Sequence, residues 1–133
     1  MNLVLSSYTV ATLCGLFFFH WIVDFLAQIS WMALNKSKLF LPLFTHCVVY
    51  GIGMYLFGWI INLPLEKSIL FGLLNGILHF GVDWCTSRLT HKVYEKSGVS
   101  RLFFNIIGFD QFIHAACLLW TLWLFSSTPV FVG

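Results

Sequence analysis

The sequence predicts an all-α integral membrane protein, a four-helix bundle that forms one domain over residues 1–133. Hydrophobic residues make up 59% of the chain and charged residues only 9%. Soluble domains carry about 25% charged residues, so lipid rather than water must surround most of this protein. The length accommodates roughly four spans of about 20 residues with short loops. Helices are expected because the bilayer offers no hydrogen-bond partner to an open backbone.

Four apolar stretches are each long enough to form a transmembrane helix. Their approximate bounds are 8–28, 40–61, 67–88 and 104–125. Pro64 separates the second span from the third, and Pro129 follows the fourth, which agrees with the tendency of proline to interrupt helices.

Basic residues concentrate in the first and third predicted loops. They are Lys36, Lys38, Arg88, Lys92, Lys96 and Arg101. The positive-inside rule therefore places loops one and three in the cytoplasm and both termini outside, in what we expect to be a bacterial inner membrane. Topology alone is a sufficient explanation of these charges, and an added role in attracting an anionic substrate or lipid is the alternative. Lys36, Arg88 and Lys92 are also candidates for binding the phosphate of a substrate.

Two segments of the chain repeat one pattern. Residues 19–25 and 78–84 both read apolar, His, aromatic, any residue, Val, Asp, aromatic. The first segment lies in span one and the second in span three. The chain is therefore predicted to consist of two pseudo-repeated helical hairpins of the same orientation.

Most of the acidic residues and histidines lie inside the predicted spans. Three of the five acidic residues and four of the five histidines do so. Each costs on the order of 3 kcal/mol in a membrane, so such residues are functional candidates. All fall in the half of their span that is predicted to face the cytoplasm. They are His20, Asp24, His46, His79, Asp83, Asp110 and His114.

The spacing of these residues predicts a shared metal site. Three His/Asp pairs are four residues apart, which brings both members to one helix face. Imidazole and carboxylate together suit zinc, iron or manganese, with zinc expected first. Seven ligands suffice for one ion or two. Asp24, Asp83 and Asp110 are also candidate catalytic groups, and Gln28, Asn75 and Gln111 are candidates to orient ligands or substrate.

Each residue taken singly also has an ordinary structural explanation. A lone membrane histidine is more often a hydrogen-bonded packing residue than a ligand. Asp110, near the start of a helix, is also in a position to interact with the helix dipole. The metal hypothesis depends on the seven residues taken jointly, at one depth.

The polar residues together resemble a family of small membrane proteins of bacteria and bacteriophages, catalogued as a domain of unknown function. The pattern that carries this resemblance is His20-x3-Asp24-x3-Gln28, Trp31, Asn35-Lys36, His46, His79-x3-Asp83 and Asp110-Gln111-x2-His114. The family is distantly similar to bacterial inner-membrane metal-dependent hydrolases, which also place His and Asp on helices near the cytoplasmic face. The resemblance therefore implies metal-dependent hydrolysis without naming a substrate.

The leading hypothesis is a membrane-embedded, metal-dependent hydrolase whose lipid or other amphiphilic substrate arrives from the cytoplasmic leaflet. Three alternatives stay open: a transporter of metal ions or protons, a haem-binding electron-transfer bundle, and a non-enzymatic phage or bacterial membrane factor with a structural metal. A homo-oligomer is possible in each case. Nucleic acid is not an expected partner, because the basic stretch 88–101 is short and is already needed for topology.

Overall fold

A computed structural model describes residues 10–127 of the chain, and within this range the protein is all-helical, without a β-strand. The first helix continues directly into one π-helical turn. The elements are α1 (Val10–Trp21), the π turn (Ile22–Leu26), α2 (Ser30–Asn35), α3 (Phe40–Ile60), α4 (Leu65–Ser97) and α5 (Arg101–Ser127). The all-α class predicted from the sequence is therefore confirmed.

Three helices, α3, α4 and α5, are long enough and apolar enough to cross a membrane. The apolar helix that covers the first predicted span, Val10–Leu26, is shorter than these three. The start of that span, near residue 8, lies outside the described residues. Helices of membrane length thus occur at three of the four predicted spans.

The first predicted span, 8–28, differs from a regular helix. Its α-helical part ends at Trp21, and the backbone N–H of Ala27 donates to the carbonyl of Ile22 over 2.9 Å. That bond links residues five apart, which is the π pattern, and π turns occur frequently at functional sites. The loop that was expected to follow contains a short helix, α2, whose Met32 side chain is buried.

The third span was predicted to end at residue 88, but α4 continues to Ser97. Its 33 residues correspond to about 50 Å, well beyond the roughly 30 Å of a hydrocarbon core. Arg88 and Lys92 consequently lie on a helix and not in a loop. Polar residues compatible with a helix follow residue 88, and the helix ends only at Gly98, which has a positive φ of 62°.

Close packing of α3 against α4 organises the structure. A Cβ atom on Gly72 would lie 2.6 Å from the carbonyl oxygen of Gly51, so the two backbones approach at a distance that only glycine permits. Helix α1 packs against α3, and α5 packs against α4. One end of the structure is filled by an apolar core, and the polar residues gather towards the other end. The core includes Leu16, Met54, Phe57, Phe71, Leu118 and Leu122.

Candidate metal centre

The seven ionisable residues predicted from the sequence lie together in one cluster. Helix α1 supplies one, the π turn one, α3 one, α4 two and α5 two. All are buried except Asp110, whose side chain is 15% exposed. The cluster consists of His20, Asp24, His46, His79, Asp83, Asp110 and His114.

Three side-chain atoms from three elements form a small triangle at the centre of the cluster. The Nε2 atoms of His46 and His79 are 2.9 Å apart. The Oδ1 atom of Asp24 lies 3.1 Å from the first and 3.3 Å from the second. All three side chains are buried, with exposures of 4% or less.

This triangle matches the donor set of a metal ion. Zinc binds histidine nitrogen and carboxylate oxygen at about 2.0–2.2 Å, which separates neighbouring ligand atoms on a tetrahedral ion by about 3.3 Å. The three edges are close to that value. When the proton of each ring is on Nδ1, both Nε2 atoms and the carboxylate oxygen are free to donate an electron pair to one cation. Asp24, His46 and His79 therefore fit a divalent ion.

A second group of possible ligands adjoins the first and shares His79 with it. Its other members are Asp83 and His114, with Oδ1 of Asp83 lying 3.3 Å from Nε2 of His114. The same His114 nitrogen lies 3.3 Å from Oδ1 of Asp110. Asp83 therefore stands beside the triangle, and Asp110 stands one residue farther out.

Tyr50 holds the histidine rings, and the sequence analysis did not identify it. Its hydroxyl lies 2.8 Å from Nδ1 of His20, and its ring stacks on His79. The His79 ring also contacts the His114 ring, with ring centroids 4.2 Å apart. The Nδ1 atoms of His46 and His79 have no hydrogen-bond partner among the described residues, so ring stacking takes on the orienting role for His79. The signal available in the sequence was the position of Tyr50 four residues after His46.

Two of the three amides predicted to orient ligands contact the cluster. The Gln111 amide nitrogen lies 3.2 Å from Oδ2 of Asp24, and its carbonyl oxygen lies 3.1 Å from Nε2 of His20. Gln28 donates to the backbone carbonyl of Asp24 and lies 3.3 Å from Nε2 of His46.

Asn75 lies apart from the cluster. Its amide nitrogen donates to the carbonyl of Phe71, and its amide oxygen accepts a hydrogen bond from Thr121. Within residues 10–127, no contact therefore supports the prediction that Asn75 orients a ligand. Its hydrogen bonds link α4 to α5 within the apolar half of the structure.

A chamber of about 540 Å³ opens onto the cluster. Asp24, Asp83, Asp110 and Lys36 all line it. The remaining lining mixes apolar side chains with hydroxyl groups, two amides and the imidazole of His91. It includes Phe25, Leu34, Thr86, Thr90, Tyr94 and Phe103. The centre is thus accessible to a ligand that has both polar and apolar parts.

The three basic residues proposed from the sequence to bind phosphate lie in different surroundings. The Lys36 ammonium pairs with Oδ2 of Asp83 at 2.7 Å inside the chamber. The Arg88 guanidinium lies over the Trp84 ring, 3.5 Å from its centroid. Neither Arg88 nor Lys92 is among the described residues that line the chamber.

The charge of the cluster depends on its imidazoles. Three carboxylates face one ammonium, which leaves a net charge of about −2 when all four imidazoles are neutral, the form in which imidazole ligates a metal. Burying uncompensated charge costs several kcal/mol per ion, so a cation is the natural complement of this cluster. The donor types, their spacing and their charge all suit a divalent ion.

Comparison with known protein families gives a match over most of the chain. A family described as "Protein of unknown function (DUF3307)" matches residues 12–131, which is nearly the whole chain. No curated protein and no solved structure matches. The distant similarity to metal-dependent hydrolases expected from the sequence therefore stays a prediction.

Proposed function

The chain belongs to the DUF3307 family of proteins of unknown function, and from its buried centre we propose that it is a membrane-embedded, metal-dependent hydrolase. The triangle formed by Asp24, His46 and His79 carries this proposal, because its edges of 2.9, 3.1 and 3.3 Å match the separation of ligand atoms on one ion. Zinc is the ion we expect first. A bound divalent ion would act as a Lewis acid and make water more acidic.

Asp110 is the best candidate for the general base. It lines the chamber and is not part of the triangle. The Thr86 hydroxyl and the Gln111 amide donate to its two carboxylate oxygens, Nε2 of His114 lies 3.3 Å from Oδ1, and the side chain stays 15% exposed. A carboxylate in that position is suited to accept a proton from a water that enters through the chamber. Asp24 and Asp83 lie deeper and are better suited to holding cations.

We further propose a four-helix bundle in a bacterial inner membrane, with the centre near the cytoplasmic face and both termini outside. His79 lies about 21 Å along α4 from Leu65, close to the far side of a 30 Å hydrocarbon core if α4 enters the membrane at its first turn. The basic residues Lys92 and Lys96 come later on the same helix, which agrees with the positive-inside rule. The substrate we propose is a lipid or another amphiphile from the cytoplasmic leaflet.

The apolar core favours hydrolysis over transport. Beyond the cluster, the space between the helices is occupied by side chains such as Leu16, Met54, Phe71 and Leu122. A path for ions or protons needs polar groups or water along its length. The chamber therefore supports a centre that is entered from one end, which suits an enzyme.

Elemental analysis of the detergent-purified protein tests the metal site. Wild type is expected to retain zinc, whereas His79→Ala should lose it and show a lower thermal unfolding midpoint. Saturating a site at a hundredfold excess over Kd contributes about 2.7 kcal/mol to stability, so chelation should lower the midpoint of wild type in the same way. His91→Ala is the matched control, because that histidine pairs with Glu95 outside the cluster. A metal-free wild type purified without chelator would refute the proposal.

Hydrolysis itself is tested with zinc-loaded protein in mixed micelles, using fluorogenic lipid carboxylic esters and phosphoesters. Turnover that disappears in His79→Ala and persists in Glu66→Gln, a change at the far end of α4, would support an enzyme. Zinc binding without turnover of either substrate class would instead favour the non-enzymatic alternative with a structural metal.

A further inference from the structure

Lys36 brings a positive charge to the interior of the cluster. It follows directly after the short helix α2, and the backbone N–H of Lys36 donates to the carbonyl of Met32 over 2.9 Å. The buried Met32 side chain anchors α2 against the rest of the structure. From this position the Lys36 ammonium reaches Oδ2 of Asp83 at 2.7 Å, and its side chain is only 18% exposed.

Charge limits the number of ions that the cluster can hold. Three carboxylates and the Lys36 ammonium leave a net charge of about −2 when the histidines are neutral. One divalent ion brings this total to zero. A second ion would leave about two uncompensated positive charges in a buried, lipid-surrounded site, which is strongly unfavourable.

The second group of possible ligands is already engaged. One of its members, His79, is a corner of the triangle that fits the first ion. Another member, Asp83, has its Oδ2 atom occupied by Lys36 at 2.7 Å. His114 is left with Oδ1 of Asp83 and with Asp110, both at 3.3 Å from its Nε2 atom. A second ion could bind both carboxylate oxygens of Asp83 only if it displaced the Lys36 ammonium.

We propose that the centre holds a single divalent ion, at Asp24, His46 and His79, and that the Lys36 ammonium occupies the place of a second cation at Asp83. This inference rests on the proposed metal centre and deepens it. In two-metal hydrolases the second ion stabilises an oxygen of the reacting group. Lys36 lines the chamber, so its ammonium is available to a negatively charged substrate oxygen there.

The number of zinc ions per chain distinguishes a lysine that substitutes for an ion from one that only braces α2. The protein is stripped of metal, reloaded with zinc in detergent, freed of excess zinc and measured by elemental analysis. Wild type is expected to hold one ion per chain. Lys36→Met, which keeps the length of the side chain and removes its charge, should hold two. Lys36→Arg keeps the charge and should hold one.

Lys38→Met is the matched control, because it removes a positive charge two residues away from Lys36 and should leave one ion per chain. Reloading with Mn²⁺ gives an independent readout: wild type should give the electron paramagnetic resonance spectrum of an isolated ion, and Lys36→Met that of a coupled pair.

Two ions in wild type would overturn the inference, as would one ion or none in Lys36→Met. Zinc absent from wild type would instead remove the metal centre itself, so the failure of this inference and the failure of the proposed function give different results. The wild-type measurement stands even if a variant does not fold.

Discussion

The phenol ring of Tyr50 lies nearly parallel to the imidazole of His79, with ring centroids 3.8 Å apart and an interplanar angle of 13°. His114 contacts the same imidazole, with ring centroids 4.2 Å apart. The ring of one proposed ligand is thus in contact with two other aromatic rings. Since Nδ1 of His79 has no hydrogen-bond partner among the described residues, this stack is the contact that fixes the direction of its Nε2 atom.

Replacing Tyr50 should therefore weaken zinc binding in two distinct steps. Tyr50→Phe keeps the stack and removes the hydrogen bond to His20, so a rise of a few-fold in Kd is expected. Tyr50→Leu removes both, and the loss should reach about tenfold to a hundredfold, as found for groups that orient metal ligands. Competition with a chelating dye measures both values. Trp59→Leu, at an exposed aromatic residue near the far end of α3, is the control. Equal affinities for Tyr50→Leu and wild type would contradict an orienting role.

Gly53 controls the position of the π turn that carries Asp24. A Cβ atom on Gly53 would lie 2.2 Å from Cγ1 of Val23, the residue before Asp24. Gly53→Ala should displace that turn, cost about 1–3 kcal/mol by overpacking and weaken zinc binding. Thermal unfolding with and without zinc measures both effects.

The control for this change is Gly81→Ala, on α4. No atom lies within 4 Å of a Cβ placed there, so stability should be unchanged or slightly higher. If Gly53→Ala behaved like Gly81→Ala, the contact with Val23 would have no part in holding Asp24.

The amide variants of Asp110 and Asp24 should lose different properties, turnover in the first case and zinc binding in the second. Asp110→Asn is expected to keep one zinc ion and to lower kcat by about 10²–10⁴, the contribution typical of a general base. Asp24→Asn should lose the zinc ion itself, because it removes a charged corner of the triangle. Zinc content and turnover are measured on the same samples. Loss of zinc from Asp110→Asn would assign this carboxylate to the ligands instead.

Much of the centre could be predicted from the sequence because charge inside an apolar span is costly. That cost, and the spacing of four residues within each His/Asp pair, identified all seven residues of the cluster. Asn75 was predicted to orient a ligand, and in the structure its amide bonds to the Phe71 carbonyl and to Thr121. Tyr50 was not predicted, since a tyrosine in an apolar helix carries no charge that demands a partner.

The sequence by itself determined the helical class and the candidate ligands, because hydropathy and helical periodicity are local properties. Only the tertiary structure decided which atoms meet. The π turn that carries Asp24 and the length of α4 depend on packing between elements, as the contact of Gly53 with Val23 illustrates. The approach of Lys36 to Asp83 joins residues 47 positions apart. Periodicity along one helix contains no information about such a contact. The contact between Lys36 and Asp83 nevertheless sets the charge balance of the proposed metal centre.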